Sequence, residues 1–116
     1  MTIRRAQDES QCGHQCWNRE AQTQALRVEL TNGSSFVFPY ARLAFVRADR
    51  ASGQEVLRVS IDTHEIQIIG RNLHEVELAL QKYAVEWVRE LPARYSPQAG
   101  DNHAWITSIV VNELED

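Results

Sequence analysis

The chain has 116 residues, of which 43% are hydrophobic and 24% are charged, and its net charge at pH 7 is −4. This length fits one domain that buries its own core, and the composition excludes disordered and fibrous proteins. No apolar run reaches the roughly 20 residues of a membrane helix, and the first residues lack the apolar stretch of a secretory signal. These features predict a cytoplasmic protein without membrane contact.

Residues 1–24 show no apolar periodicity and are rich in Gln, Arg and Glu. This composition predicts a flexible or partly ordered arm in front of a single α+β domain over residues 25–116. Within the arm, Cys12, His14 and Cys16 stand at alternate positions and offer three potential zinc ligands. The chain has no second cysteine pair to complete a zinc site, so two reduced thiols without a cofactor are the simpler interpretation.

Residues 25–31 alternate strictly between apolar and polar side chains, which predicts a strand with one buried face. The Asn-Gly pair that follows predicts a tight turn. A two-residue loop would place Phe36 and Phe38 on the polar face of the hairpin. We therefore expect a three-residue loop, in which Leu30 pairs with Phe36.

The clearest hairpin pattern lies in residues 55–62 and 65–69, where Leu, Val and Ile alternate with polar residues. A turn at residues 63–64 pairs Ile61 with Ile66 and keeps the apolar side chains of both strands on one face. A further strand is expected between the two hairpins. It begins after the proline that ends the first hairpin, because the apolar parity changes there.

Residues 72–91 carry apolar side chains at spacings of three and four, which predicts one long amphipathic helix. Asn72 and Glu75 resemble a capping box at its start, and Pro92 follows its end. Residues 105–111 are rich in β-branched side chains and predict a final strand. The apolar stripe of the predicted helix consists of Leu73, Val76, Leu80, Tyr83, Ala84, Trp87, Val88 and Leu91.

The predicted fold is therefore α+β: a curled antiparallel sheet, or a small partly open barrel, of five to six strands with one long helix packed on it. Strands about 4.8 Å apart make such a sheet roughly 20–25 Å wide, whereas a helix is only about 10 Å across. One helix cannot cover the whole apolar face. The sheet must curl towards a barrel, the terminal segments must cover the rest, or a second subunit must do so.

No pattern of catalytic residues stands out, and the segment from Asp62 to Glu65 around His64 is better explained as a polar turn than as a general base. The leading hypothesis is a non-enzymatic interaction domain that forms a homo-oligomer or binds another protein. One alternative is a nucleic-acid or anion-binding module, although the net negative charge argues against nucleic acid. A second alternative is a metal-binding protein that uses the cysteines and histidine of the arm. The candidate anion-binding residues are the arginines of the strand region, Arg42, Arg47, Arg50, Arg58 and Arg71.

Overall fold

The computed structural model describes residues 15–92 and 103–114, and it shows a mixed α+β protein built mostly of strands. The first strand lies inside the segment 1–24 that the sequence assigns to an N-terminal arm. The elements in chain order are β1 (Trp17–Arg19), β2 (Ala25–Glu29), β3 (Ser35–Pro39), a 3-10 turn (Tyr40–Arg42), β4 (Leu43–Ala51), β5 (Gln54–Ile61), β6 (His64–Arg71), helix α1 (His74–Gln81), β7 (Val85–Arg89) and β8 (Trp105–Glu113).

The strands form two four-stranded sheets instead of the single curled sheet that the sequence predicts. The first sheet has the strand order β1–β7–β2–β3, and the second sheet has the order β4–β5–β6–β8. Neighbouring strands are antiparallel, except that β2 and β7 run parallel. Both sheets are open, so the predicted barrel is not confirmed.

The inner faces of the two sheets share one hydrophobic core. The ring centroids of Phe38 on β3 and His64 on β6 lie 5.4 Å apart, which joins the first sheet to the second. Because each sheet covers the apolar face of the other, a second subunit is not required to complete the core. The fully buried side chains include Leu26, Val28, Val85 and Val88 in the first sheet and Leu57, Val59, Ile61, Ile66, Ile68 and Ile106 in the second.

Both predicted hairpins bury the expected faces, but each turn lies one residue earlier in the chain than predicted, so every pairing partner shifts by two residues. Phe36 pairs with Val28, whereas the sequence analysis pairs it with Leu30. The hairpin of β5 and β6 shows the same shift, and Asp62 in its turn has a φ of 55°. Aspartate tolerates this left-handed conformation better than most residues. Side-chain alternation therefore determines the buried face, while the turn geometry determines the register.

The long helix predicted over residues 72–91 is wrong in its second half, because α1 ends at Gln81 and β7 begins at Val85. The register between β1 and β7 skips Glu86, as in a β-bulge. This irregularity lets Val85 and Val88 both point into the core although they are three residues apart. The bulged strand thereby reproduces the apolar spacing of a helix.

The end of α1 is a Schellman motif that contains no glycine. Tyr83 occupies the left-handed position that glycine usually takes, with a φ of 56°. Its N–H donates to the carbonyl of Leu80, and the N–H of Ala84 donates to the carbonyl of Ala79. The ring of Tyr83 stacks on the buried ring of Tyr40, with 5.0 Å between centroids. Without a glycine, nothing in the sequence marks this helix end.

The start of α1 also differs from the predicted capping box. Leu73, and not Asn72, stands at the N-cap position, where it makes no side-chain capping bond. The N–H of Leu73 donates to the carboxylate of Glu55 on β5 at 3.0 Å. The second sheet therefore supplies the acceptor that a capping side chain would otherwise provide.

The helix contacts both sheets through ion pairs in its first two turns. Glu75 lies 3.2 Å from Arg19 on β1, and Glu77 lies 3.4 Å from Arg50 on β4. The buried face of α1, which includes Leu80, packs into the shared core. α1 therefore ties the first sheet to the second.

A further link between the sheets runs along the open edge of β8. Glu90 accepts the N–H of Ile109 at 2.8 Å with one carboxylate oxygen and the N–H of Thr31 at 2.8 Å with the other. The N–H of Leu91 donates to the carbonyl of Ile106 at 3.0 Å. These bonds satisfy backbone groups of β8 that would otherwise lie open at the sheet edge.

The backbones of β6 and β8 approach each other closely at Gly70. A Cβ atom at this position would lie 1.7 Å from the carbonyl oxygen of Trp105. The register between the two strands shifts beside this glycine. Glycine is therefore required here by the approach of two strands, since any side chain would force them apart.

Candidate functional site

The five arginines predicted to bind an anion do not form a single cluster. Arg47 and Arg58 are direct cross-strand neighbours on the outer face of the second sheet. Arg42 lies in the 3-10 turn before β4, Arg50 lies beside α1, and Arg71 is exposed at the end of β6. The first four each lie within 4.0 Å of a carboxylate oxygen. The structure thus brings together two of the five.

The predicted zinc ligands fall partly outside the described residues, because Cys12 and His14 precede residue 15. Cys16 is buried in the core, and its thiol donates to the carbonyl of Ala104 at 3.4 Å. Burial raises the pKa of Cys16 to about 11, so this thiol stays protonated at neutral pH. Within residues 15–92 and 103–114, no three His, Cys, Asp or Glu side chains are grouped to hold a metal. Zinc binding stays a prediction.

On the outer face of the first sheet, Glu29 lies between two arginines. Nε of Arg27 donates to Glu29 at 2.8 Å, and Nε of Arg89 donates to its other oxygen at 3.0 Å. Burial acts to raise the pKa of Glu29, but the hydrogen bonds from the two arginines outweigh it and hold the pKa below its usual value. Glu29 is therefore a stable anion at neutral pH. We call these three residues the Glu29 cluster.

An aromatic ring completes the surface around the Glu29 cluster. The guanidinium carbon of Arg89 lies 4.4 Å from the centroid of the Trp87 ring, in a cation–π contact. Trp87 is also the register partner of Arg27 in the parallel pair of β2 and β7. Val37, which pairs with Arg27 on the other side, is 64% exposed. The face therefore presents a carboxylate between two guanidinium groups, an indole against one of them, and an apolar side chain at its margin.

The outer face of the second sheet contains a similar arrangement around Asp49. Nε of Arg47 lies 3.2 Å from the Asp49 carboxylate, and Nε of Arg58 lies 3.4 Å from the same oxygen. We call these three residues the Asp49 cluster. Its contacts are longer than those of the Glu29 cluster, so its two arginines are held less tightly.

Four apolar side chains share this outer face with the Asp49 cluster. Phe45 is 58% exposed and Val110 is 37% exposed. Val56 and Ile69 are half-buried and lie side by side in the ladder of β5 and β6. In a sheet with one buried face, the other face is usually polar. The outer face of the second sheet departs from this pattern.

A groove of about 380 Å³ lies between α1 and the turn that joins β1 to β2. Its lining includes Leu78, Gln22 and Lys82, and the ion pair of Arg19 with Glu75 crosses it. Leu78 is the exposed apolar residue of this groove. The groove therefore offers only a small apolar surface, and Arg19 and Glu75 in its lining are already paired with each other.

The Glu29 cluster and Trp87 were missed as a site by the sequence analysis. Trp87 was assigned to the apolar stripe of a helix, and this concealed its place beside Arg27. One local signal was available: the segment Val85–Arg89 is rich in β-branched and aromatic residues, which favour strands. The pairing of β7 with β2 is a long-range contact that no local pattern reveals.

Comparisons of the chain with protein-family models, with curated proteins and with solved structures found no match. In the described ranges, the structure contains no helix with the length and apolar character needed to cross a lipid bilayer. The outer faces of the two sheets are therefore the features from which a function can be proposed.

Proposed function

We propose that this protein is an interaction domain that associates with a second copy of itself through the outer face of the second sheet. The observation that supports this proposal is the solvent exposure of Phe45 and Val110 on a face that also contains Val56 and Ile69. Burying these side chains against a partner removes apolar surface from water, which is the dominant favourable term in association.

The size of the face is suitable for a dimer contact. Its four strands are eight or nine residues long. Strands of that length, about 4.8 Å apart, give a projected area of about 500 Å². A standard interface removes about 800 Å² of surface from each partner, so this face supplies most of what is needed. The first sheet, with strands of three to five residues, offers less.

The charges of this face favour a second copy as the partner. Arg47, Arg58 and Arg71 share this face with Asp49 and Glu65, so the face mixes charges of both signs in nearly equal numbers. Such a surface can pair with itself across a two-fold axis. A nucleic acid would gain little from this face, because Asp49 already lies between the two arginines. Anion binding by the strand-region arginines and a cytoplasmic location stay predictions.

Sedimentation velocity between about 1 and 200 μM tests self-association. We expect the weight-average mass to rise from the 13.3 kDa of one chain towards twice that value. The variant Val110→Lys places an unpaired charge among the apolar side chains of the contact and should keep the protein monomeric at concentrations where the parent is dimeric. A monomer over the whole range for the parent protein would contradict the proposal.

The matched control is Val37→Lys, which places the same charge on the outer face of the first sheet. Val37 is more exposed than Val110, so this change should leave both folding and self-association intact. If both lysine variants prevent dimer formation equally, the contact does not lie on the second sheet.

A further inference from the structure

The Glu29 cluster has hydrogen-bonding capacity that its internal contacts do not use. A guanidinium carries five N–H donors, and Arg27 and Arg89 each give their Nε–H to Glu29. In residues 15–92 and 103–114, the structure shows no further hydrogen bond from their terminal nitrogens to protein atoms. The side chains of Arg27 and Arg89 are 42% and 44% exposed, so these donors are accessible from solvent.

The two guanidinium groups are also held in place before any partner arrives. Arg89 is fixed by Glu29 on one side and by the Trp87 ring on the other. Arg27 is fixed by the second oxygen of Glu29. Ordering long side chains is a major cost of binding, and groups that are already ordered avoid most of it.

The charge of the cluster is +1, because two arginines enclose one carboxylate whose pKa is held low. One additional carboxylate would neutralise it and could accept hydrogen bonds from both guanidinium groups. Trp and Arg are the residues most enriched at the centres of protein interfaces, and exposed Val37 extends the apolar part of the surface. Because the site carries a charge of only +1 on a chain of net charge −4, it suits one carboxylate better than the many phosphates of a nucleic acid.

We propose that the Glu29 cluster and Trp87 form a binding site for a carboxylate side chain of an extended acidic segment in a partner protein. The carboxylate lies across the terminal nitrogens of Arg27 and Arg89, and the segment packs on Trp87 and Val37. This site is on the first sheet, so it is independent of self-association through the second sheet. A dimer would then present two such sites.

Fluorescence anisotropy with a labelled peptide of alternating Glu and Thr tests this proposal. In an extended peptide, alternate side chains lie on one side at a spacing of about 6.8 Å, which presents a row of carboxylates. We expect saturable binding that weakens as salt is added, because the contacts are exposed. The same peptide with Gln in place of Glu should bind at least about tenfold more weakly, since it lacks the charge-assisted bonds.

The variants Arg27→Gln and Arg89→Gln should each weaken binding about tenfold or more, since each removes one half of the site. Arg47→Gln is the matched control, because Arg47 also flanks a carboxylate but lies on the second sheet. It should bind the peptide like the parent protein. Arg89→Lys keeps the charge without the planar fork and should show an intermediate loss.

The proposal is wrong if the parent protein does not bind the Glu peptide, if Arg47→Gln loses binding as fully as Arg89→Gln, or if a single-stranded oligonucleotide binds more tightly than the peptide. Competition by inorganic phosphate at concentrations where acetate has no effect would also reject a carboxylate site. Far-UV circular dichroism of each variant confirms that the fold is intact, so that a lost fold is not mistaken for a lost site.

Discussion

The outer faces of the two sheets carry the same three charges in different surroundings. In both, one carboxylate lies between two arginines. The Glu29 cluster has contacts of 2.8 and 3.0 Å and lies against Trp87, whereas the Asp49 cluster has contacts of 3.2 and 3.4 Å and shares its face with four apolar side chains. An ion-pair arrangement by itself therefore does not define a function. The neighbouring side chains determine whether the face suits a charged ligand or an apolar contact.

This comparison separates two uses of a sheet. The first sheet is short-stranded and presents an ordered polar group with one indole, which suits recognition of a specific anion. The second sheet is long-stranded and mixes charges of both signs with exposed apolar groups, which suits a broad contact. Substitutions in one sheet at a time, or in the link between the sheets, test this division.

The largest expected effect comes from Gly70→Ala, which alters the second sheet alone. A methyl group at this position collides with the backbone of Trp105, so β6 and β8 must separate. We expect a loss of about 3 kcal/mol or more in the free energy of unfolding, measured by urea denaturation. Gln67→Ala, on the outer face of the same strand, should change the free energy by less than about 0.5 kcal/mol. Equal stability of Gly70→Ala and the parent would show that β6 and β8 are not paired as described.

A smaller loss of stability is expected from Glu90→Ala, which removes the carboxylate that links the two sheets. The N–H groups of Ile109 and Thr31 both lose their acceptor. Losing hydrogen bonds to a charged group should cost about 1–3 kcal/mol of stability. Hydrogen exchange at Ile109 should accelerate more than exchange within β5, which lies away from this edge. Glu113→Ala, an exposed change on β8, is the control, and equal losses in the two variants would contradict the role of Glu90.

The smallest expected effect is a change in how the free energy of unfolding depends on pH, and it arises from Glu29 on the first sheet. The folded-state pKa of Glu29 lies below the unfolded value near 4.5, so its contribution to stability is present above that pH and is lost as the pH falls through the folded pKa. Because the two arginines that lower this pKa are 42% and 44% exposed, water screens the interaction, and we expect roughly 0.5 kcal/mol or less. Glu29→Gln should therefore lose less stability than the parent when urea unfolding is compared at pH 6 and pH 3. An identical loss in both proteins would contradict the lowered pKa.

The sequence predicted which strand faces are buried, because alternation is a local property of the chain. It assigned Phe36 and Phe38 to the apolar face correctly, although Phe36 has a different partner from the one expected. Register depends on the turn, and a shift of two residues leaves the alternation unchanged. That shift was therefore invisible in the apolar pattern.

The second half of the predicted helix failed for two physical reasons. The bulge at Glu86 gave Val85 and Val88 a spacing of three, which imitates a helix. The helix end at Tyr83 is formed by a residue that rarely adopts a left-handed conformation. Neither feature has a reliable local signature.

Only part of the candidate sites could be predicted from the sequence. Arg47 and Arg58 were selected as binding residues, and their cross-strand pairing depends on the register of β4 and β5. Arg27, Glu29 and Arg89 were not selected, because the contact of β2 with β7 joins segments about 60 residues apart in the chain. Charge placement on a sheet is a property of strand pairing.

The closure of the β8 margin by Glu90 and Leu91 limits how copies of this protein can assemble. An unprotected margin would accept another chain's strand, and repetition of that step leads to fibres. Because Ile106 and Ile109 are already hydrogen-bonded from within, strand addition is blocked along that part of β8. Pairing through the outer face of a sheet instead uses the same face of both copies, so it ends after one partner has been added and gives a finite complex.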